Sequence, residues 1–203
     1  MVQQNLVHGE SWGFPHIQAA RSIFNVDSTL KFISGLSKYD NMCAHTYKVK
    51  KDGEYKILKL STGLRDVGGI NKEWKVLNAL KGLEGIPKPE RFYDLSYFDI
   101  SKFYKGFLKE FIEGEETYKD SFEETEEYWE MIRTKLEKII REIHKAGFSN
   151  LDIHTANIVI NENDDPFIID LGLASTRWSL SYLVGKNKDL KRVEIFRPRV
   201  YKY

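Results

Sequence analysis

Asn150-Leu151-Asp152-Ile153-His154-Thr155-Ala156-Asn157 and, a few residues on, Ile168-Ile169-Asp170-Leu171-Gly172 decide how this 203-residue chain is read. Between them the apolar runs Asn157–Asn161 and Phe167–Asp170 flank the turn Asp164-Asp165-Pro166, a pattern that predicts two short strands joined as a hairpin. Upstream, Trp129, Ile132, Leu136, Ile139, Ile140 and Ile143 recur at helical spacing, and Gly147 follows as a stop. They predict one long amphipathic helix over Glu123–Lys145.

Working further back, Leu30–Ser34, Cys43–Val49 and Glu54–Leu60 read as three strands, the last two joined through the hairpin signal Lys51-Asp52-Gly53. A helix is expected over Asn71–Lys81, with Trp74, Val76, Leu77 and Leu80 at helical spacing and Gly82 ending it. The rigid connector Ile86-Pro87-Lys88-Pro89 leads to two more strands, Arg91–Leu95 and Phe103–Phe111, and Gly114 reads as a hinge. The expected organisation is an N-terminal extension over 1–29, a sheet domain over 30–111 and a mainly helical domain over 112–203. In the extension, Trp12, Phe14, Ile17, Ile23 and Phe24 supply an apolar docking face. After Gly172 only 31 residues follow, enough for a loop around Ala174–Ser181, one helix near Lys188–Phe196 and a basic tail.

Composition excludes several classes of function. Lysine and arginine (31) nearly balance aspartate and glutamate (30), so no bulk charge draws the chain to nucleic acid or to a membrane surface. An apolar fraction of 41% supports a real core. A lone cysteine, Cys43, forms neither an internal disulfide nor a cysteine-rich zinc site, which points to a reducing compartment. No run approaches the ~20 apolar residues of a membrane span, and the polar start is no secretory signal. Charge is nonetheless blocked: Glu113–Glu130 holds nine acids and one lysine, and Lys186–Tyr203 seven basic residues and two acids. Such blocks read first as solvated faces.

The chemistry lies in four places read together: Lys59 on the third strand, Glu73 on the helix after it, Asp152 with Asn157, and Asp170 with Gly172. Singly, each has an ordinary explanation as a surface charge, turn residue or strand-end cap. In this order they supply what phosphoryl transfer requires. That is a cation for the phosphates, hard oxygens for magnesium and a carboxylate that orients the attacking hydroxyl.

From about Leu30 to Ala174 the pattern resembles the protein-kinase-like superfamily, whose catalytic loop reads Asp-x4-Asn and whose magnesium motif reads Asp-Phe-Gly. The resemblance implies an α+β bilobal fold, with an antiparallel sheet lobe bearing one helix and a reduced, mainly helical second lobe. It implies ATP and Mg2+ as cofactors, Asp152 as catalytic base, Asn157 and Asp170 as metal ligands, and Lys59 as phosphate-binding lysine paired with Glu73. Lys109-Glu110-Phe111-Ile112 resembles the hinge whose backbone bonds adenine, through Glu110 and Ile112. Three departures matter. The phosphate-covering loop keeps one glycine, in Ser34-Gly35-Leu36-Ser37-Lys38-Tyr39, so Ser34, Gly35 and Ser37 are the expected cradle. Asn150-Leu151 replaces the usual His-Arg, so no activating phosphorylation is expected. His154, where protein kinases usually hold lysine, resembles aminoglycoside, lipopolysaccharide and choline kinases. His144 is expected to be structural.

In overall pattern the chain is also similar to the HopBF family of bacterial type III effector kinases. That resemblance implies a monomeric protein serine/threonine kinase secreted into the host cytoplasm, with a serine of the heat-shock-protein-90 chaperone as acceptor. A small-molecule or glycan kinase and a nucleotide-binding pseudokinase are the alternatives.

Overall fold

The computed structural model describes residues 15–36, 44–61, 64–94, 105–116 and 125–197, and the chain divides into two compact units. One comprises Met1–Asn71 and Glu90–Phe111, the other Lys72–Pro89 and Ile112–Tyr203. Among the described residues no helix is long and apolar enough to cross a membrane.

The first unit is built on five antiparallel strands: β1 (Leu30–Gly35), β2 (Ala44–Lys51), β3 (Glu54–Ser61), β4 (Pro89–Asp94) and β5 (Lys105–Glu110), in the order β1-β2-β3-β5-β4. Pro89 alone of β4 groups with the other unit. Asp52 and Gly53 both take positive φ, 50° and 92°, which is the backbone that a two-residue hairpin matching strand twist needs. They set the register Lys51↔Glu54 and so the whole β2–β3 ladder. Side chains alternate across a strand. On β3 this sends Leu58 and Leu60 into the core and turns Lys59 to the opposite face.

The core is completed by α1 (Pro15–Val26), which contributes Ala20 and Ile23 to a cluster with Leu30, Val49, Tyr93 and Leu108. The stretch read as an extension thus supplies a core helix, with proline at its first position, where the missing N–H costs no hydrogen bond. Just beyond α1, Asp27 is buried and accepts from Thr29 Oγ1 (2.6 Å), Tyr93 Oη (2.8 Å) and Arg91 Nη1 (3.0 Å), tying the helix end to β4. Burial alone would raise the Asp27 pKa; these donors outweigh it and hold the carboxyl below its usual range. Burial, together with the bond to Asp27, pushes the Tyr93 hydroxyl far upward.

Helix α2 runs over Leu64–Ala79, seven residues earlier than the spacing predicts, and crosses the division between the units. Its extra turns pass through Gly68 and Gly69, each worse than alanine in a helix by about 1 kcal/mol, which explains why the pattern begins only after them. Val76, Leu77 and Leu80 are buried, and Gly82 (φ 94°) follows the end of the helix.

In the second unit α3 (Glu126–Lys145) forms where its stripe predicts it. Thr125 caps it by accepting from Tyr128 N (3.3 Å), acids fill the first turn and His144 and Lys145 the last. Its apolar stripe is buried. Around it lie β6 (Glu115–Glu116), β7 (Phe148–Ser149), β8 (Ile158–Ile160), β9 (Pro166–Ile168), β10 (Ser175–Thr176) and α4 (Leu180–Glu194). β6, β8 and β9 make one small sheet, and β7 with β10 another. Gly114 serves this packing: any side chain there would overlap the Ile160 carbonyl of β8. Arg133, on α3, bonds Glu126 (2.5 Å) and Glu130 (2.7 Å), which raise its pKa. α4 starts eight residues before the helix expected near Lys188, and the expected loop at Ala174–Ser181 contains β10.

Candidate active site

The second unit gathers the late motifs through its hairpin. β8 and β9 pair antiparallel with Ile158↔Ile168 in register, and the ladder continues one step past the strands, where Ile169 N donates to Asn157 O at 2.9 Å. Asn157, which pairs with Ile169, and Asp170, the next residue along, therefore lie at the same open end of the hairpin. The Asn157 side chain is fixed as well: Nδ2 donates to the Asp152 carbonyl at 3.1 Å, which leaves its Oδ1 as the atom suited to a cation. Asp170 Oδ1 accepts from Gly172 N at 2.9 Å. A side chain on Gly172 would crowd that oxygen at 3.2 Å and touch Glu73 Oε2 at 3.7 Å, so the buried Glu73 of α2 lies close to this turn. One carboxylate and one amide oxygen are of the hard-donor type that fits magnesium. Among the described residues no group of three or more His, Cys, Asp or Glu side chains is placed to hold a metal ion by itself.

Asp152 is held in an unusual conformation. It and Asn150 take φ of 53° and 58°, a region that costs most non-glycine residues energy, although Asn and Asp tolerate it best. Their loop is pinned from α4. Asp189 is fully buried, and it accepts from Asn150 N (2.8 Å), Leu151 N (2.9 Å) and His144 Nε2 (3.0 Å). Three donors compensate one buried carboxylate. Gly185, one turn earlier, lets α4 approach: a Cβ there would stand 2.7 Å from Asn150 N. Ser149 Oγ donates to Tyr182 O (2.8 Å) and Tyr182 Oη to His144 O (2.9 Å), closing the seam between α3, β7 and α4.

The Asp152 carboxylate itself is flanked by Arg192 and His154. Arg192 Nη1 donates to Oδ1 at 2.8 Å, and His154 Nε2 lies 3.4 Å from Oδ2. His154 Nδ1 accepts from Ala156 N (3.2 Å), so in the neutral ring the proton sits on Nε2, toward Asp152. Arg192 thus occupies Oδ1, and His154 stands beside Oδ2.

The remaining expected residues are distributed as follows. Lys59 stands mid-strand on β3, paired with Thr46 and Phe107, in the first unit, whereas Glu73 belongs to the second. Ser34 and Gly35 lie in β1, registered with Lys48 and Tyr47, rather than in a turn; Leu36 N continues the ladder to Thr46 O (2.8 Å). A bulge between Phe32 and Ser34 extends this strand past the point where the sequence turns polar. Glu110 ends β5 opposite Lys56, and Ile112 opens the second unit's long segment. Ser37, Lys38 and Cys43 lie outside the described residues. Asp189 and Arg192 had been read only as part of a basic, solvated block. The signal for Asp189 was there: Tyr182, Gly185, Asp189 and Val193 repeat at three- and four-residue spacing, with one acid inside the stripe.

At the level of sequence, no family matches the chain and no curated protein does. In three dimensions it is similar to the Cydia pomonella granulovirus kinase PK-1, with a TM-score of 0.59 at 16% identity, over 80% of this chain and 58% of the viral one. The chain thus spans a little over half the length of that kinase. The likeness shows a protein-kinase-like α+β fold.

Proposed function

We propose that the chain is an ATP- and magnesium-dependent protein serine/threonine kinase, acting as a secreted bacterial effector on a host protein in the host cytoplasm. The observation that carries the reading is the hairpin that brings Asn157 and Asp170 to one end, with Asp152 tethered to Asn157 by its own carbonyl. Asp152 Oδ2 receives the proton of the acceptor hydroxyl as its oxygen bonds the γ-phosphorus. The bond to the β–γ bridging oxygen breaks, and ADP leaves. Asn157 and Asp170 hold magnesium, which neutralises the charge on the phosphate oxygens. Lys59 and Glu73 take the phosphate-binding pair, while Ser34, Gly35, Ser37, Glu110 and Ile112 are assigned to the nucleotide by the same resemblance. The acceptor suggested by the effector resemblance is a serine of the heat-shock-protein-90 chaperone.

The test is γ-labelled ATP with magnesium in a eukaryotic lysate. The native chain should label a protein on serine. Asp152→Ala should lower the rate at least about a hundredfold, and Asp170→Ala should abolish it with the fold retained. Undiminished labelling by Asp170→Ala would sink the assignment.

One observation favours a second reading. His154 beside Asp152 is the residue that the aminoglycoside, lipopolysaccharide and choline kinases carry there. Label passing to sugars or antibiotics, and to no protein, decides for that class.

A further inference from the structure

The outward side of α4 inverts the usual rule of burial. Leu180, Leu183 and Val184 are 91%, 70% and 71% exposed, and Trp178, just before the Ser179 cap, is 90% exposed. The three aliphatic residues stand at i, i+3 and i+4 and so form one stripe. It lies opposite the stripe of Tyr182, Gly185, Asp189 and Val193 that packs inward. Four exposed apolar side chains in seven residues form a contiguous patch of the size that marks interaction sites. Farther along the same outward side, α4 turns cationic: Lys188 and Lys191 are exposed, against the single exposed acid Glu194.

We propose that this face docks the protein that accepts the phosphoryl group. The docked segment presents apolar side chains to Trp178, Leu180, Leu183 and Val184, and carboxylates to Lys188 and Lys191. The proposal deepens the kinase reading above and rests on it. Three observations select such a partner. The patch is apolar at one end and basic at the other, so its complement is an acidic, apolar-bearing segment. The helix that presents it is the one that grips the Asp152 loop: Lys188 Nζ reaches Asn150 Oδ1 at 3.4 Å, and Arg192 bonds Asp152. Along the axis Leu183 and Arg192 are ~14 Å apart, at ~1.5 Å per residue. Nine residues also turn half-way round the helix, so the path over its surface is about 20 Å, and an extended segment of about six residues anchored on the patch passes round α4 to Asp152. A bilayer is a poorer complement, because the other side of α4 is buried in its own unit and only about two turns of apolar surface remain for insertion.

The experiment compares the full native chain with two variants: Trp178→Ser/Leu180→Ser/Val184→Ser, and Lys191→Glu. The readouts are label transfer from γ-labelled ATP to protein in a serially diluted eukaryotic lysate, KM for ATP, and thermal unfolding. For the triple variant the lysate concentration giving half-maximal labelling should rise at least tenfold. The maximal rate, KM for ATP and unfolding midpoint should stay near native values. Lys191→Glu should shift the same parameter by a smaller factor, and 0.5 M salt should weaken labelling by the native chain. Native labelling matched by the triple variant at every dilution overturns the docking face and leaves the kinase reading standing. No labelling by the native chain overturns both. Co-sedimentation of the native chain, and not the triple variant, with phosphatidylserine/phosphatidylcholine vesicles assigns the face to a lipid surface and overturns the protein-docking proposal.

Discussion

The two long helices of the second unit bury opposite kinds of side chain. α3 turns Trp129, Ile132, Leu136, Ile139, Ile140 and Ile143 inward, with Arg133 and His144 at the margins of the stripe, and leaves most of its charges in water. α4 sets a carboxylate and a glycine between Tyr182 and Val193 on its inward side and leaves Leu180, Leu183 and Val184 in water. α3 is held by non-directional apolar burial, which tolerates any well-packed set of similar volume. α4 is held by directional bonds to one loop, which tolerate very little. The first kind of helix supports a site, and the second shapes it.

The sharpest way to break that contrast is to truncate one inward side chain on each helix. Asp189→Ala strands the amides of Asn150 and Leu151 and the ring of His144 without their acceptor. It should cost about 3–5 kcal/mol of stability, and transfer by the protein that remains folded should fall by orders of magnitude. Leu136→Ala should cost a comparable 2–5 kcal/mol through its cavity, yet leave turnover per folded molecule nearly native. Denaturant titration alongside labelling of the folded fraction separates the two. Equal loss of specific activity from both would erase the distinction.

Arg192→Ala probes the same helix more gently. It frees Oδ1 of Asp152 while sparing the backbone bonds from Asp189, so kcat should fall about 10- to 100-fold with KM for ATP unchanged and stability within about 1 kcal/mol, as for a half-exposed ion pair. Arg192→Lys should restore part of the rate, and combining Arg192→Ala with Asp152→Ala should cost nothing beyond Asp152→Ala alone. Additive losses would mean that Arg192 acts elsewhere.

The smallest effect on transfer is expected from Asp27, a buried acid of the first unit, which fastens scaffold to scaffold. Its carboxyl titrates below the unfolded value in the folded chain, so its contribution is fully present above about pH 4. That contribution is lost as pH falls through the lower, folded value. Asp27→Asn should lower stability near neutrality by about 1–2 kcal/mol and flatten the acid limb of an unfolding-versus-pH curve, with transfer unaffected. A variant with an unchanged acid limb would remove Asp27 from this account.

Legibility followed the same division. α3, the β2–β3 hairpin and the β8–β9 hairpin were readable because each rests on a local pattern: a stripe, an Asp-Gly turn, an Asp-Asp-Pro turn. α1 was missed as a helix because Ile23 and Ala20 acquire meaning only against Leu58 and Leu60, more than thirty positions away. α2 and α4 were read too short for a single reason. Gly68-Gly69 and Gly185 look like breaks, yet the helices run through them, and at Gly185 the missing side chain is what admits the Asn150–Asp152 loop. Of the candidate site, the Asp-x4-Asn and Asp-Leu-Gly residues were visible as spacing. Asp189 and Arg192 were not, because a charge's partner in another element leaves no trace in its own neighbourhood of sequence.

The way Asn157 and Asp170 are brought together also sets how this chain can be compared with distant ones. The five-residue step from Asp152 to Asn157 is locked by a side chain bonding its own loop, so it admits neither insertion nor deletion. The stretch from Asn157 to Asp170 is fixed only at its open end, and residues added at the closed turn, 161–165, leave the pairing of Ile158 with Ile168 intact. Alignment gaps belong at that turn, and a length difference there is no evidence against shared ancestry.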